Sequence, residues 1–256
     1  MFSTTEITSH EISSDNVIHQ RLLYAYVKAA EMISGNVLEL GCGAGRGMEL
    51  IAQAADNYTG IDKNSKLLAS HQKQYPNFTF LEQNIPPFRG IEDNTFDFVI
   101  TFQVIEHIED DGLFVKEIHR VLKPGGKAII TTPNIELSLT RNPWHVREYT
   151  AKQLHTLLAK YFEQVALYGI FGNNAVNEYY ERNRASVQKI TRFDIFNLQY
   201  RLPRRLLQVP YDILNRMNRK KLQKVGSDLV SQVTVDDYNM NEQAEQGFDF
   251  FAVVTK

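Results

Sequence analysis

The chain has 256 residues, 43% hydrophobic and 23% charged, with a net charge of −2. That composition excludes a collagen-like, fibrous or wholly disordered chain, and no run of about 18 apolar residues is present to predict a membrane-spanning helix. The polar start at Met1–Glu6 does not read as a secretory signal. The single cysteine, Cys42, excludes an internal disulfide, argues against a Cys-based zinc site and fits a reducing, cytoplasmic location.

Residues 1–35 read as a polar arm followed by a helix, in which Val17, Leu22, Leu23, Tyr26, Val27, Ala30 and Met32 recur at helical spacing. Val37–Leu40 reads as a short buried strand, and Gly41-Cys42-Gly43-Ala44-Gly45-Arg46-Gly47 leads into a helix over 48–55. Tyr58–Asp62 is the second expected strand. A helix capped by Asn64 or Ser65 then runs to Tyr75. Phe78–Leu81 and Phe96–Thr101 are the third and fourth strands. A helix over 112–122 stops at Lys123-Pro124-Gly125-Gly126. Lys127–Thr132 is the fifth strand, Ala151–Tyr161 a helix, Val165–Ile170 the sixth strand and Phe248–Thr255 the seventh. Strands alternating with helices over 36–171 predict an α/β, doubly wound, Rossmann-like core. Residues 172–245 are too long for a plain connection and read as a helical insertion or lid of the same domain, with 246–256 supplying the final strand.

The glycine loop is the strongest local feature. Glycines let the backbone turn tightly and approach a ligand, and the following helix presents free N–H groups. Asp62 closes the next strand, where a carboxylate can accept hydrogen bonds from both hydroxyls of a ribose. The dinucleotide fingerprint would need a glycine at 46, where Arg46 stands. The spacing is G-x-G-x-G at 41, 43 and 45, with Glu39 just before it. An acid beside the loop repels a pyrophosphate and suits an ammonium group. A ligand with a ribose, an ammonium and no phosphate fits both ends, as S-adenosylmethionine (SAM) does.

Val37–Gly45 resembles the first motif of the class I SAM-dependent methyltransferases, and Gly60-Ile61-Asp62 the second. Asn84-Ile85-Pro86-Pro87-Phe88 is similar to a shortened third motif, with Asn where Asp is usual. Phe96–Ile100 through Glu106-His107 resembles the fourth, and Val121–Gly126 the turn before strand five. The likeness spans roughly 36–170. It implies a seven-stranded sheet of order 3-2-1-4-5-7-6 with strand seven antiparallel, and SAM as cofactor. It further implies Glu39 toward the methionine amino group and Gly41, Cys42, Gly43 and Gly45 beneath the ligand. Asp62, with Lys63 beside it, would take the ribose, Asn84 and Ile85 the adenine, and backbone near Gln103 the methionine end.

Methyl transfer from a sulfonium needs in-line placement and desolvation, and a hydroxyl acceptor also needs a base. Glu106 and His107 follow strand four, and His145 follows strand five, at the strand ends where such a base belongs. A metal reading exists, because small-RNA 2′-O-methyltransferases carry E-x-x-E-H at this place. Here Gln103 replaces one acid, which weakens a hard-cation site, and no metal is expected. Ubiquinone O-methyltransferases resemble the same layout.

Residues 178–225 carry twelve Lys/Arg against four acids, a net +8 that leaves −10 for the rest. Pro210–Leu222 reads as a helix with Pro210 near its first turn. Tyr211, Leu214, Met217 and Leu222 lie on one side, and Arg216, Arg219, Lys220, Lys221 and Lys224 cover much of the remainder. Three readings stand: a lid packed by its apolar stripe, a peripheral membrane contact through 201–224, and a nucleic-acid track. The expected activity is methyl transfer to a small-molecule or lipid-like acceptor, at oxygen. RNA methylation and SAM binding without catalysis are the alternatives.

Overall fold

The computed structural model describes residues 13–225 and 227–256; most of the expected N-terminal arm lies outside them. A helix, α1 (Asn16–Ala30), precedes β1 (Asn36–Leu40), and α2 (Met48–Ala54) follows the glycine loop. Then come β2 (Asn57–Asp62), α3 (Ser65–Gln74), β3 (Thr79–Glu82), β4 (Phe96–Phe102), α4 (Asp111–Val121), β5 (Leu122–Pro133), α5 (Ala151–Leu158) and β6 (Gln164–Gly172). Helix starts are capped as their sequences dictate: Asn64 accepts from Leu67 N, and Thr150 forms a reciprocal capping box with Gln153.

The sheet has eight strands, not seven. β7 (Tyr238–Asn241) lies within the segment read as helical and adds an antiparallel edge beside β6, pairing Gly169 with Asn241 through Gly172 with Tyr238. Four polar-alternating residues on a sheet edge leave too short a pattern to distinguish from a turn. β8 (Asp249–Thr255) is the strand expected as the seventh. The order is β3-β2-β1-β4-β5-β8-β6-β7, the expected order with one edge strand added. β1 to β5 pair in parallel, and β8 runs antiparallel between β5 and β6. Lys123–Gly126 is drawn into β5 as an irregularity opposite Phe96 and Phe98, so the expected turn is a distortion at the strand's start.

Strand side chains alternate between two buried layers. Leu38, Leu40, Val99, Ile130 and Phe250 pack under α4 and α5, and Val37, Ile100, Ile129 and Phe251 pack under α1 and α2. β1 pairs with β2 on one side and β4 on the other, so the strand order reverses there and a crevice opens beyond the C-terminal ends of these strands. The glycine loop, the 105–107 turn and the 134–149 loop all leave from that edge.

The insertion contains α6 (Asn174–Thr191), a short α7 (Leu198–Arg201), α8 (Arg204–Val225) and α9 (Ser227–Gln232). α8 starts six residues before Pro210, so that proline sits inside the helix instead of at its first turn. Its packing departs from a lid held by the apolar stripe alone. Asn218 and Arg219 are buried, and Leu206, Val209, Ile213, Leu214 and Met217 face outward. The cause is Asp15, fully buried, which pairs with Arg216 at 2.8 Å and Arg219 at 3.0 Å. A buried carboxylate requires a paired cation, and that need turns Arg216 and Arg219 inward while Lys220 and Lys221 stay exposed.

Candidate active site

The glycine loop is held from both sides. Gly41 (φ +75°) donates its N–H to Ile61 O at 2.7 Å, and a Cβ there would strike the Val104 side chain. Only glycine takes this left-handed turn without strain. Gly43 differs. Its N–H is taken by Asp62 Oδ2 at 2.9 Å, yet a Cβ on it would find nothing closer than Gly41 O at 3.9 Å. The open side of that loop is therefore a cradle a ligand can enter. Asp62 Oδ1 accepts from Asn64 N at 2.8 Å, which leaves lone pairs on both oxygens.

Glu39 is buried behind the loop, and its carboxylate accepts from Tyr26 Oη at 2.8 Å and Tyr58 Oη at 2.6 Å. Burial raises its pKa, and the two phenols partly offset that. Tyr26, which no local motif marks, is the group of this trio on the cavity wall. His71 was also missed; its Nε2 lies 2.9 Å from Gly43 O and its ring backs Gly45. Nothing in the sequence ties 26 or 71 to the loop, because both contacts are made by helices packing from elsewhere in the chain.

A cavity of about 840 Å³ runs from Gly41, Cys42 and Gly43 past Gln103, Glu106 and His145 to the underside of the insertion. The other residues expected to hold the cofactor, Glu39, Gly45, Asp62, Lys63, Asn84 and Ile85, do not line this cavity. Asn84 and Lys63 are exposed, and Ile85 is half-buried against the core. Cys42 is buried, and that burial pushes its thiol well up, which makes it an inert wall. Gln103 takes φ +58° at the end of β4, with its N–H on Thr131 O. A side chain held there marks a strained, over-determined position.

The three catalytic candidates converge. Glu106 and His107 lie in a single helical turn (Ile105–His107) after β4, and the Glu106 carbonyl accepts from Val146 N at 2.7 Å. This bond draws the 142–149 loop over the turn and stacks the His107 and His145 rings edge to face, centroids 4.9 Å apart. Glu106 is 1% exposed. Its Oε2 accepts from Thr132 Oγ1 at 3.0 Å, and its Oε1 has no hydrogen-bond partner. Burial pushes its carboxyl up to about 7, against the opposing pull of His145. His107 Nδ1 donates to Trp144 O at 3.0 Å, which leaves Nε2 as the acceptor nitrogen. Burial, then His145, lowers its pKa to about 4, so the ring is neutral at neutral pH. His145 Nδ1 lies 2.6 Å from Glu148 Oε1 and Nε2 lies 2.8 Å from the Asn142 amide. Burial opposes the charged ring, but Glu148, Glu106 and Asp249 outweigh it and the net pKa is raised. Ligand atoms of Glu106, His107 and His145 all lie within 4.8 Å of one another, so two imidazoles and a carboxylate could also take a divalent ion.

The insertion roofs this floor. Trp144 Nε1 donates to Asp212 at 3.1 Å, Arg204 bonds His145 O and pairs with Glu109, and Arg141 reaches Gln199 O.

A methyltransferase-domain family model matches residues 38–130. A probable SAM-dependent methyltransferase of Mycolicibacterium smegmatis is 31% identical over 253 residues, covering 96% of this chain and 90% of that protein. A ubiquinone biosynthesis O-methyltransferase of Pseudomonas aeruginosa is 33% identical over 123 residues, 44% of this chain and 48% of that enzyme. Among solved structures, a SAM-dependent methyltransferase of Thermotoga maritima aligns over 93% of this chain and 91% of its own, with a TM-score of 0.57 and 15% identity, and so shares the fold. With its switch-point crevice and acid-flanked glycine loop, the chain belongs to the class I SAM-dependent methyltransferases, and SAM is its cofactor.

Proposed function

We propose that the enzyme moves the methyl group of SAM to an oxygen of a small-molecule acceptor with a lipid-like body, in the cytoplasm. The cavity carries this reading. It begins at the cofactor loop, passes the Glu106–His107–His145 floor and continues between apolar side chains of the insertion. Asp62 would hold the ribose diol, Asn84 and Ile85 the adenine, and the loop backbone with Gln103 the methionine end. Glu39 would act on the ammonium through Tyr26, since its carboxylate is buried behind the loop and Tyr26 is the one of the pair that lines the cavity.

SAM supplies an activated methyl and a neutral thioether leaving group. The chain's own part is to hold the acceptor hydroxyl in line, exclude water and take the proton. His107 Nε2 would serve that last task, with a neutral ring whose tautomer the Trp144 carbonyl fixes, although a pKa of about 4 makes it a weak base at neutral pH. With SAM bound, the acceptor oxygen would take the methyl as the sulfonium leaves as a thioether, and His107 Nε2 would take the hydroxyl proton. Glu106, with one unpartnered oxygen, would orient the hydroxyl, and the Glu148-paired His145 would stabilise negative charge developing on the acceptor oxygen.

The unpartnered Glu106 Oε1 beside two imidazoles also favours a second reading, a divalent ion held by the same three residues. Loss of activity on chelation and recovery with added metal would support it.

The deciding experiment incubates the enzyme with radiolabelled SAM and cell extract. Label entering an organic-soluble product supports the proposal. Label in RNA would replace it with RNA methylation, and SAM binding without transfer would remove it.

A further inference from the structure

The insertion leaves a large apolar surface facing water. Thirteen large hydrophobic side chains are exposed among the described residues, and all but Met32 and Ile135 lie between Ile190 and Met217. Phe193, Ile195 and Phe196 are 73%, 76% and 63% exposed. On α8, Leu206, Val209, Ile213 and Met217 recur every three or four residues and form one outward stripe. Concentrated exposure of this kind marks an interaction surface.

Charge selects the partner. Lys189, Arg192, Arg201, Arg205, Lys220 and Lys221 are exposed in the same stretch. The acids of 189–221 are Asp194 and Asp212. Six exposed cations against these two carboxylates leave the outer face strongly positive. Two copies of this chain meeting through the face would bring like charges together. Long side chains can lie along an apolar surface with their charged ends at headgroup level. No helix of the described residues is long and apolar enough to cross a membrane, so the segment would lie on it.

The surface is also continuous with the cavity. Phe193, Leu198, Leu206 and Leu214 are exposed and line the passage to Glu106. We infer that the outer face of residues 189–221 docks on an anionic lipid bilayer and sets the cavity mouth against it, so that the acceptor enters from the lipid. The second half of this statement rests on the proposed lipid-like acceptor; the docking does not.

The test is co-sedimentation of the full chain with vesicles of phosphatidylcholine containing one-quarter phosphatidylglycerol, against phosphatidylcholine alone. Ile195 and Phe196 do not line the cavity, so Ile195→Asp/Phe196→Asp should keep the wild-type SAM affinity. We expect wild type to bind the anionic vesicles at least about tenfold more tightly than the neutral ones, with binding falling as salt rises. Ile195→Asp/Phe196→Asp and Lys220→Glu/Lys221→Glu should each lower the affinity by about tenfold or more. Absence of wild-type binding, unchanged binding by both variants, or a dimer that the aspartates dissociate would overturn the inference. Vesicle binding is read without SAM or acceptor. Label found only in a water-soluble product, with docking intact, would therefore remove the acceptor reading alone.

Discussion

At the residue scale, Glu106 carries two separable consequences. Its folded pKa of about 7 lies above the ordinary carboxyl value, so the native state holds a proton that the unfolded chain releases near pH 4.5. Its contribution to stability is whole below about 4.5 and is lost as pH rises through about 7. Above that pH the buried charge destabilises the fold by about 3 kcal/mol, since one pKa unit is about 1.4 kcal/mol. Glu106→Gln keeps an acceptor for Thr132 and has no charge to bury. The variant should be more stable than wild type at pH 8 and equal to it at pH 4, as read by urea titration. Equal stability at both pH values would show that Glu106 does not ionise in this environment. Asp62 tests the cofactor assignment separately. Asp62→Ala should weaken SAM binding by at least about tenfold, because hydrogen bonds to a charged group contribute roughly 1.5–3 kcal/mol. Unchanged affinity by calorimetry would remove it from the ribose site. His107→Ala should lower turnover by about a hundredfold or more with little change in SAM affinity. Retained turnover would move the base elsewhere.

At the element scale, what the sequence discloses depends on how local the cause is. The glycine loop, the Asn64 and Thr150 caps and the Glu106-His107 pair are set by neighbours within a few positions, and all are legible. The lid helix is not. Spacing shows that α8 has an apolar and a basic side, but not which of its cations turn inward. Arg216 and Arg219 do so because of Asp15, about 200 positions away in the chain. Tyr26, His71 and Glu148 escaped for the same reason, since their roles arise only when helices and loops pack. The Asp15 linkage can be tested. Asp15→Ala leaves Arg219 buried without its partner, and breaking a buried pair from one side costs roughly 3 kcal/mol or more. Hydrogen exchange should show α8 opening in this variant while β1 and β4 stay protected. Unchanged exchange in α8 would mean that the helix is held by its other contacts.

At the scale of the whole molecule, the last seven strand residues bind two halves of the sheet. β8 enters between β5 and β6 and pairs over its full length with both, from Lys127 to Pro133 on one side and Gln164 to Ile170 on the other. Among the described residues, β6 and β7 have no other connection to the parallel strands within the sheet. The strand brings Phe250, Phe251, Ala252 and Val254, all buried, into both core layers. Every residue assigned to SAM lies before 104, so a local view would let a chain ending at Gly247 bind the cofactor. The topology says otherwise. Without β8 the inner edge of β5 is bare, the apolar faces under α1 and α5 lose their filling, and the floor at Glu106 loses the strand beside it. Truncation after Gly247 should therefore abolish cooperative unfolding and SAM binding together, even though no residue proposed to hold SAM is removed. Near-UV circular dichroism and calorimetry would read both. A truncated chain that melts cooperatively and binds SAM would show that the five parallel strands fold as a unit of their own.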